Sequence, residues 1–232
     1  MRNFFNGSHY LKMKVLVIAP HPDDEVLGCG GTIAKYAKQG AEVFVAIVTK
    51  GMKPIFSEER TEITRQYCKD ADAMLGVKET IFMDFPASMI ETVPRYQFNS
   101  AFDTLIQRIN PDIVFLPHRG DMQLDHKLVV DAAMVALRPK HDHVVKKILM
   151  YETLSETGWD IPNTTNEFIP NTYEDISYFL DHKLHALSYF NMQMESFPNS
   201  RSLEAVKALA LYRGATMRLH AAEAFSLVRE IN

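Results

Sequence analysis

The chain has 232 residues, 47% hydrophobic and 23% charged, with a formal net charge of −4. That length suits one domain with one sizeable core. The scattered Lys and Arg leave no nucleic-acid footprint, and no run approaches the roughly 18–20 apolar residues of a membrane span. The only cysteines, Cys29 and Cys68, are too few for a disulfide framework or a thiolate metal site, which fits a reducing cytoplasm.

The first residues carry basic groups but no long apolar stretch ahead of a small-residue cleavage site, so no signal peptide is read there. Residues 1–12 are expected to form an extension and residues 13–232 a single domain. KVLVIAP (14–20) and AEVFVAIVT (41–49) are nearly continuous apolar runs rich in β-branched residues, the pattern of strands buried on both faces. Between them GGTIAKYAKQG has the length of a helix and closes at Gly40 as a C-cap, which makes a strand–helix–strand unit. Ser57, followed by Glu58 and Glu59, predicts an N-cap with acids in the first turn of a helix running to Gly76. A strand is expected at 79–85. A helix follows at 96–109, with Phe98, Phe102, Leu105 and Ile109 on one face, and Pro111 separates it from a buried strand at 112–118. A helix at 125–137 and a strand at 146–152 come next. Residues 155–175, rich in Pro, Asn and Thr, predict a long loop beside the site with one edge strand. Two helices are expected to finish the chain, at 176–194 and 200–230, with Gly214 a weak point in the second. This alternation predicts an α/β fold, a mostly parallel sheet with helices on both faces, whose sites form beyond the carboxyl ends of the strands.

Two segments begin at such strand ends: HPDDE (21–25) and HRGDMQLDHK (118–127). HPDDE sets three carboxylates against the end of the most hydrophobic strand, where like charges repel and apolar neighbours desolvate them, so a compensating cation is expected. His21 and Asp24 leave the first strand three residues apart, and His126 opens the helix after the fourth. Two imidazoles and one carboxylate make the ligand set of a catalytic zinc site. Asp23, facing away from the ligands, is then free to take a proton from water and pass it to a leaving amine. Glu25 is expected to anchor the turn or contact substrate. Either segment alone reads equally well as an acidic turn or a surface histidine; together they point to metal.

HPDDEVLGCGGT resembles the signature of the LmbE/PIG-L family of metal-dependent N-acetylglucosaminyl deacetylases. Thr49 and Gly51 resemble the family's second-strand T-x-G. PDIVFLPHRGDMQLDHK resembles its strand followed by an Asp-x-His-x-Asp-His segment. YETLSETGWD and the tail FPNSRSLEAVKALALYRGATMRLHAAEAF are similar to bacterial members that act on saccharides. The resemblance covers almost all of residues 14–230. It implies a Rossmann-like three-layer sandwich, zinc as the usual metal (another divalent ion such as Fe2+ is an alternative), His21, Asp24 and His126 as ligands, and Asp23 as base. It also implies a small amino-sugar or glycoconjugate substrate, and it leaves a homo-oligomer open. One departure is Gln123, where many members carry a histidine that stabilises the oxyanion or donates a proton. A Gln amide donates a hydrogen bond but does not titrate, so Gln123 is expected to serve the oxyanion while Asp23 handles both protons.

Weaker candidates surround this set. Asp125 is placed to orient an imidazole, and Asp121 to hold its loop. His118 offers either an ionisable substitute for the missing histidine or a strand-end residue orienting the loop. Arg60 and Arg65 read as helix residues within reach of a substrate phosphate or hydroxyl, and Gln193 resembles a substrate-side Gln. Trp159 offers a ring to stack on a sugar or to pin the long loop. GCGG (28–31) lacks dinucleotide-binding spacing; its glycines read as close packing beside the metal turn. HDH (141–143), His182 and His185 read as solvated or core-edge histidines. The expected activity is zinc-dependent hydrolysis of an N-acetyl amino sugar. The alternatives are an amidase on a non-sugar or conjugate amide, a metal-retaining binding protein without catalysis, given Gln123, and, more weakly, a phosphohydrolase.

Overall fold

The structure, a computed structural model, describes residues 13–140 and 142–232; the expected extension at residues 1–12 and His141 lie outside them. The elements run β1 (Lys14–Ala19), α1 (Asp24–Lys38), β2 (Glu42–Lys50), α2 (Glu58–Leu75), β3 (Glu79–Pro86), α3 (Arg95–Ile109), β4 (Ile113–Pro117) and α4 (Leu124–Ala136). They continue with β5 (Lys147–Tyr151), β6 (Thr172–Asp175), α5 (Leu180–Leu187), α6 (Leu203–Thr216) and β7 (Ala222–Glu230). The sheet order is β3-β2-β1-β4-β5-β7-β6. Strands β1 to β5 pair in parallel, and β7 runs antiparallel between β5 and β6.

Successive strand side chains point to opposite faces, and β1 shows what that does. Val15, Val17 and Ala19 pack with α1, α2, α5 and α6, whereas Leu16 and Ile18 pack with α3 and α4. The result is a three-layer α/β sandwich with a buried core on each side of the sheet. Order reverses at β1, with β2 on one side and β4 on the other, so a crevice opens there beyond the carboxyl ends. HPDDE follows β1 and the 118–126 segment follows β4, which brings both to that crevice.

Local signals account for several elements. Ser57 Oγ accepts the Arg60 amide at 3.1 Å, capping α2. Gly40, with φ +90, turns the chain after α1 into β2. The GCGG glycines admit large neighbours: a Cβ on Gly28 would lie 2.2 Å from Cδ2 of the buried Tyr151 ring, and one on Gly31 2.8 Å from Ile176.

The end of the chain departs from expectation. The helix expected at 200–230 stops at Thr216, turns through Arg218 (φ +60), and becomes β7. Ala222, Glu223, Ala224 and Phe225 are all buried between neighbours on both faces, so the Ala-rich composition that favours helix yields to sheet pairing. The helix expected at 176–194 is only α5; its flanks form turns that return the chain toward the crevice. Among the described residues no helix is long and apolar enough to cross a membrane.

Candidate active site

The turn after β1 is fixed from three sides. The Pro20 carbonyl accepts both the Thr49 amide (3.0 Å) and its hydroxyl (2.8 Å) from β2. Asp23 has φ +110, a left-handed conformation that a residue with a Cβ adopts only at a cost. Its amide donates to Glu25 Oε2 at 3.0 Å, and its carbonyl accepts the Val26 and Leu27 amides that start α1. Glu25 thus anchors the strained turn. Asp24 is buried beneath it, while Asp23 lines the crevice.

His21, Asp24 and His126 converge below the turn, each offering a ligand atom within 4.8 Å of the others. Asp24 Oδ2 lies 3.3 Å from both His21 Nδ1 and His126 Nε2. The far side of each ring is held by a carboxylate: His21 Nε2 by Asp125 Oδ2 at 2.9 Å, and His126 Nδ1 by Asp121 Oδ2 at 2.8 Å. Asp125 is itself fixed by the Ser88 amide, and Asp121 by the Thr157 hydroxyl. Carboxylates in these places set ring orientation and raise ligand basicity.

The donor set fits a divalent metal. Among the described residues, the buried Asp24 Oδ1 and His126 Nε2 have no hydrogen-bond partner, a costly state for polar atoms unless a cation satisfies them. Electrostatics agree. Burial disfavours both imidazolium ions, yet Asp125 and Asp24 lift His21 to about 9, and Asp24 and Asp121 lift His126 to about 10. Burial also opposes the Asp24 anion, but the two rings hold it well below the usual carboxylate range. A metal held here displaces those ring protons.

Above this group lies a cleft of about 320 Å³, lined by His21, Asp23, Gln123, Glu156, Gln193 and Arg201 among others. Arg201 Nη1 donates to Asp23 Oδ2 at 2.6 Å, and its Nε to Ser155 Oγ. Burial pushes the Asp23 carboxyl up, Arg201 pulls it down and Asp24 adds repulsion, leaving it raised to about 6. Gln123 Nε2 donates to Glu156 Oε1 at 3.0 Å.

The sequence suggested neither Arg201 nor Glu156. Arg201 falls where a helix was expected, and only long-range folding sets it against Asp23. Glu156 was one polar residue in a loop full of them. The compensation sought for HPDDE is therefore partly a guanidinium from the same chain.

The remaining candidates fall into two groups. Arg60, Arg65 and Gln193 line the cleft, with Arg65 paired to Asp84 and Gln193 Nε2 donating to Thr64 Oγ1. His118 does not line it; its Nε2 meets the Asn166 carbonyl oxygen at 3.0 Å and its ring packs on Phe168, so it orients the loop. Trp159, expected to stack on a sugar or pin the loop, is 68% exposed and does not line the cleft. Beneath α1, Glu25, Cys68 and Asp72 form a buried acid–thiol group. Burial, with Asp72 and Asp23 nearby, pushes Glu25 well up, and burial lifts Asp72 to about 7 against its Thr80 and Cys68 hydrogen bonds.

The model of the PIG-L family, described as GlcNAc-PI de-N-acetylase, matches residues 16–137. The probable N-acetyl-alpha-D-glucosaminyl L-malate deacetylase 2 of Bacillus cereus is 29% identical over 80% of this chain and 86% of that protein. The diacetylchitobiose deacetylase of Thermococcus kodakarensis is 26% identical over 87% of this chain and 78% of its own. Among solved structures, GalB, the 4-carboxy-2-hydroxymuconate hydratase of Pseudomonas putida KT2440, superposes with a TM-score of 0.77 at 20% identity, covering 95% and 98% of the two chains. That likeness concerns the fold alone, which carries hydration chemistry as well as deacetylation. The family match spans more than half of the chain and includes HPDDE, the residues after β4 and the three converging ligands, so this chain belongs to the PIG-L (LmbE) family.

Proposed function

We propose that the protein is a zinc-dependent N-deacetylase that hydrolyses the acetamide of an N-acetylglucosamine-containing small molecule or glycoconjugate. The observation that carries this reading is the juxtaposition of His21, Asp24 and His126 with Asp23, which lines the cleft directly above them. Two imidazoles and a carboxylate suit zinc, and the curated relatives named above are deacetylases of amino sugars. Two free, buried cysteines accord with a cytoplasmic setting.

Zinc held by His21, Asp24 and His126 would supply Lewis acidity at the acetamide carbonyl and acidify the attacking water. Asp121 and Asp125 keep the two rings turned toward that position. Asp23 accepts a proton from the water as it adds to the carbonyl carbon, and Arg201 holds the Asp23 carboxylate in place for that transfer. Gln123 gives one amide hydrogen to Glu156 and keeps the other for the developing oxyanion. Arg60, Arg65, Thr64 and Gln193 form a polar wall for the hydroxyls of the sugar.

Acetate release from a panel of substrates, by zinc-reconstituted protein, tests the reading. N-acetylglucosamine, its glycosides and N,N′-diacetylchitobiose are compared with acetamides that carry no sugar. The proposal expects turnover of the amino sugars. Turnover of non-sugar amides alone would make the protein an amidase, and tight metal binding without any turnover would make it a binding protein.

A further inference from the structure

Amide hydrolysis needs two proton transfers: one away from water as it attacks, and one onto nitrogen before the carbon–nitrogen bond breaks, because an amide anion is too poor a leaving group. Gln123, at the cleft wall, carries an amide that does not titrate, so it cannot make the second transfer. Two acids line the cleft, Asp23 and Glu156. They stand in different surroundings, which is how paired carboxyls come to divide acid and base roles. Asp23 is in contact with a guanidinium, Arg201 at 2.6 Å, which favours the proton-accepting anion. Glu156 touches no cation: its Oε1 takes the Gln123 amide and the Ser155 hydroxyl, and among the described residues no protein group bonds Oε2. The side chain is 7% exposed, at the cleft wall.

Glu156 is also held firmly. Its amide donates to the Thr153 carbonyl and its carbonyl accepts the Met122 amide, tying the loop after β5 to the segment after β4. The neighbouring Thr157 hydroxyl donates to Asp121, the carboxylate that holds His126. The loop therefore sets Glu156 in register with both Gln123 and the ligand group.

We propose that Glu156, rather than Asp23, delivers the proton to the departing amine. In this sequence water adds its oxygen to the acetamide carbon and gives a proton to Asp23. Glu156 then gives its proton to the amide nitrogen, the carbon–nitrogen bond breaks with its electron pair on nitrogen, and acetic acid and the free amine result. Solvent carries the Asp23 proton away and restores that of Glu156. The groups facing Glu156 suit an acid: burial raises its carboxyl, and Asp24 reinforces that, while His126, Arg201 and the Gln123 amide act in the opposite direction without cancelling it.

The assignment rests on the deacetylase reading and is tested on the zinc-loaded enzyme with an amino-sugar substrate that the wild type deacetylates. Glu156→Gln keeps the shape and the Gln123 contact but cannot give up a carboxyl proton. It should retain its zinc and a KM within about threefold, lose about 10²-fold or more in kcat, and lack the alkaline fall in kcat that a proton-donating Glu156 should impose on the wild type. Glu156→Asp should restore part of the rate together with that alkaline fall. A Glu156→Gln enzyme within about threefold of wild-type kcat, or one that keeps the alkaline fall unchanged, would overturn the assignment. So would loss of zinc in both variants, which marks a structural role. A wild type that releases no acetate from any amino sugar would instead fail the deacetylase reading itself.

Discussion

Arg201 Nη1 lies 2.6 Å from Asp23 Oδ2, joining residues 178 positions apart across the mouth of the cleft. The proposed reaction requires an ionised Asp23 to accept a proton, and burial works against ionisation while Arg201 works for it. Replacing Arg201 with Met removes the opposing cation, so the Asp23 carboxyl should titrate above its present value of about 6. The acid limb of the kcat/KM profile should move upward by about one pH unit or more. A profile recorded on Arg201→Met that keeps the wild-type acid limb would show that this contact does not set the base.

The carboxylates behind the proposed metal ligands make a graded prediction. His126→Ala removes a donor and should abolish stoichiometric metal binding. Asp121→Asn leaves all three donors but loosens the His126 ring, and should weaken metal affinity by about 10–100-fold. Both follow from chelator competition with elemental analysis. The ring protons must leave as metal enters, and both rings titrate above neutrality, at about 9 and about 10. Metal affinity should therefore be higher at pH 8 than at pH 6.

Asp72 predicts a pH dependence of stability. Its folded-state value of about 7 lies above the roughly 3.9 of an unfolded Asp, so the native state binds more protons between those limits. Stability from this group is fully present below about pH 4 and is lost as pH rises through about 7. Asp72→Asn lacks that loss and can still accept the Thr80 hydroxyl. Above pH 7 it should exceed the wild type by about 4 kcal/mol, at about 2–4 °C of Tm per kcal/mol. The difference should vanish near pH 4. Equal melting curves at pH 8 would rule out a buried, proton-holding Asp72.

Two glycines separate clash from backbone strain. Gly28→Ala drives a methyl into the buried Tyr151 ring, whose hydroxyl bonds the Ile18 carbonyl. It should cost about 2–3 kcal/mol. Gly40→Ala meets nothing within 4 Å but must hold φ +90, and should cost about 1 kcal/mol. Chemical denaturation of the two variants measures the contrast.

The parallel strands are legible because strands buried on both faces must be continuously apolar, as KVLVIAP is, and because charged motifs directly after them mark strand ends. The ligand triad follows from that register, since β1 and β4 are neighbours. The last strand is not legible. AEAFSLVRE has helix-forming composition, and only pairing with β5 and β6 makes it extended. Arg201 and Glu156 escape notice for a related reason. Each owes its role to one long-range contact, with Asp23 and Gln123 respectively, and neither contact leaves a periodic or spaced pattern in the chain.

The most direct measurement pairs metal content with acetate release in Asp23→Asn. Asparagine tolerates the left-handed backbone at this position and leaves His21, Asp24 and His126 untouched. The account predicts one equivalent of metal, as in the wild type, and a fall in kcat on an N-acetyl amino sugar of about 10²–10⁴-fold. Metal-replete Asp23→Asn working at the wild-type rate would contradict it.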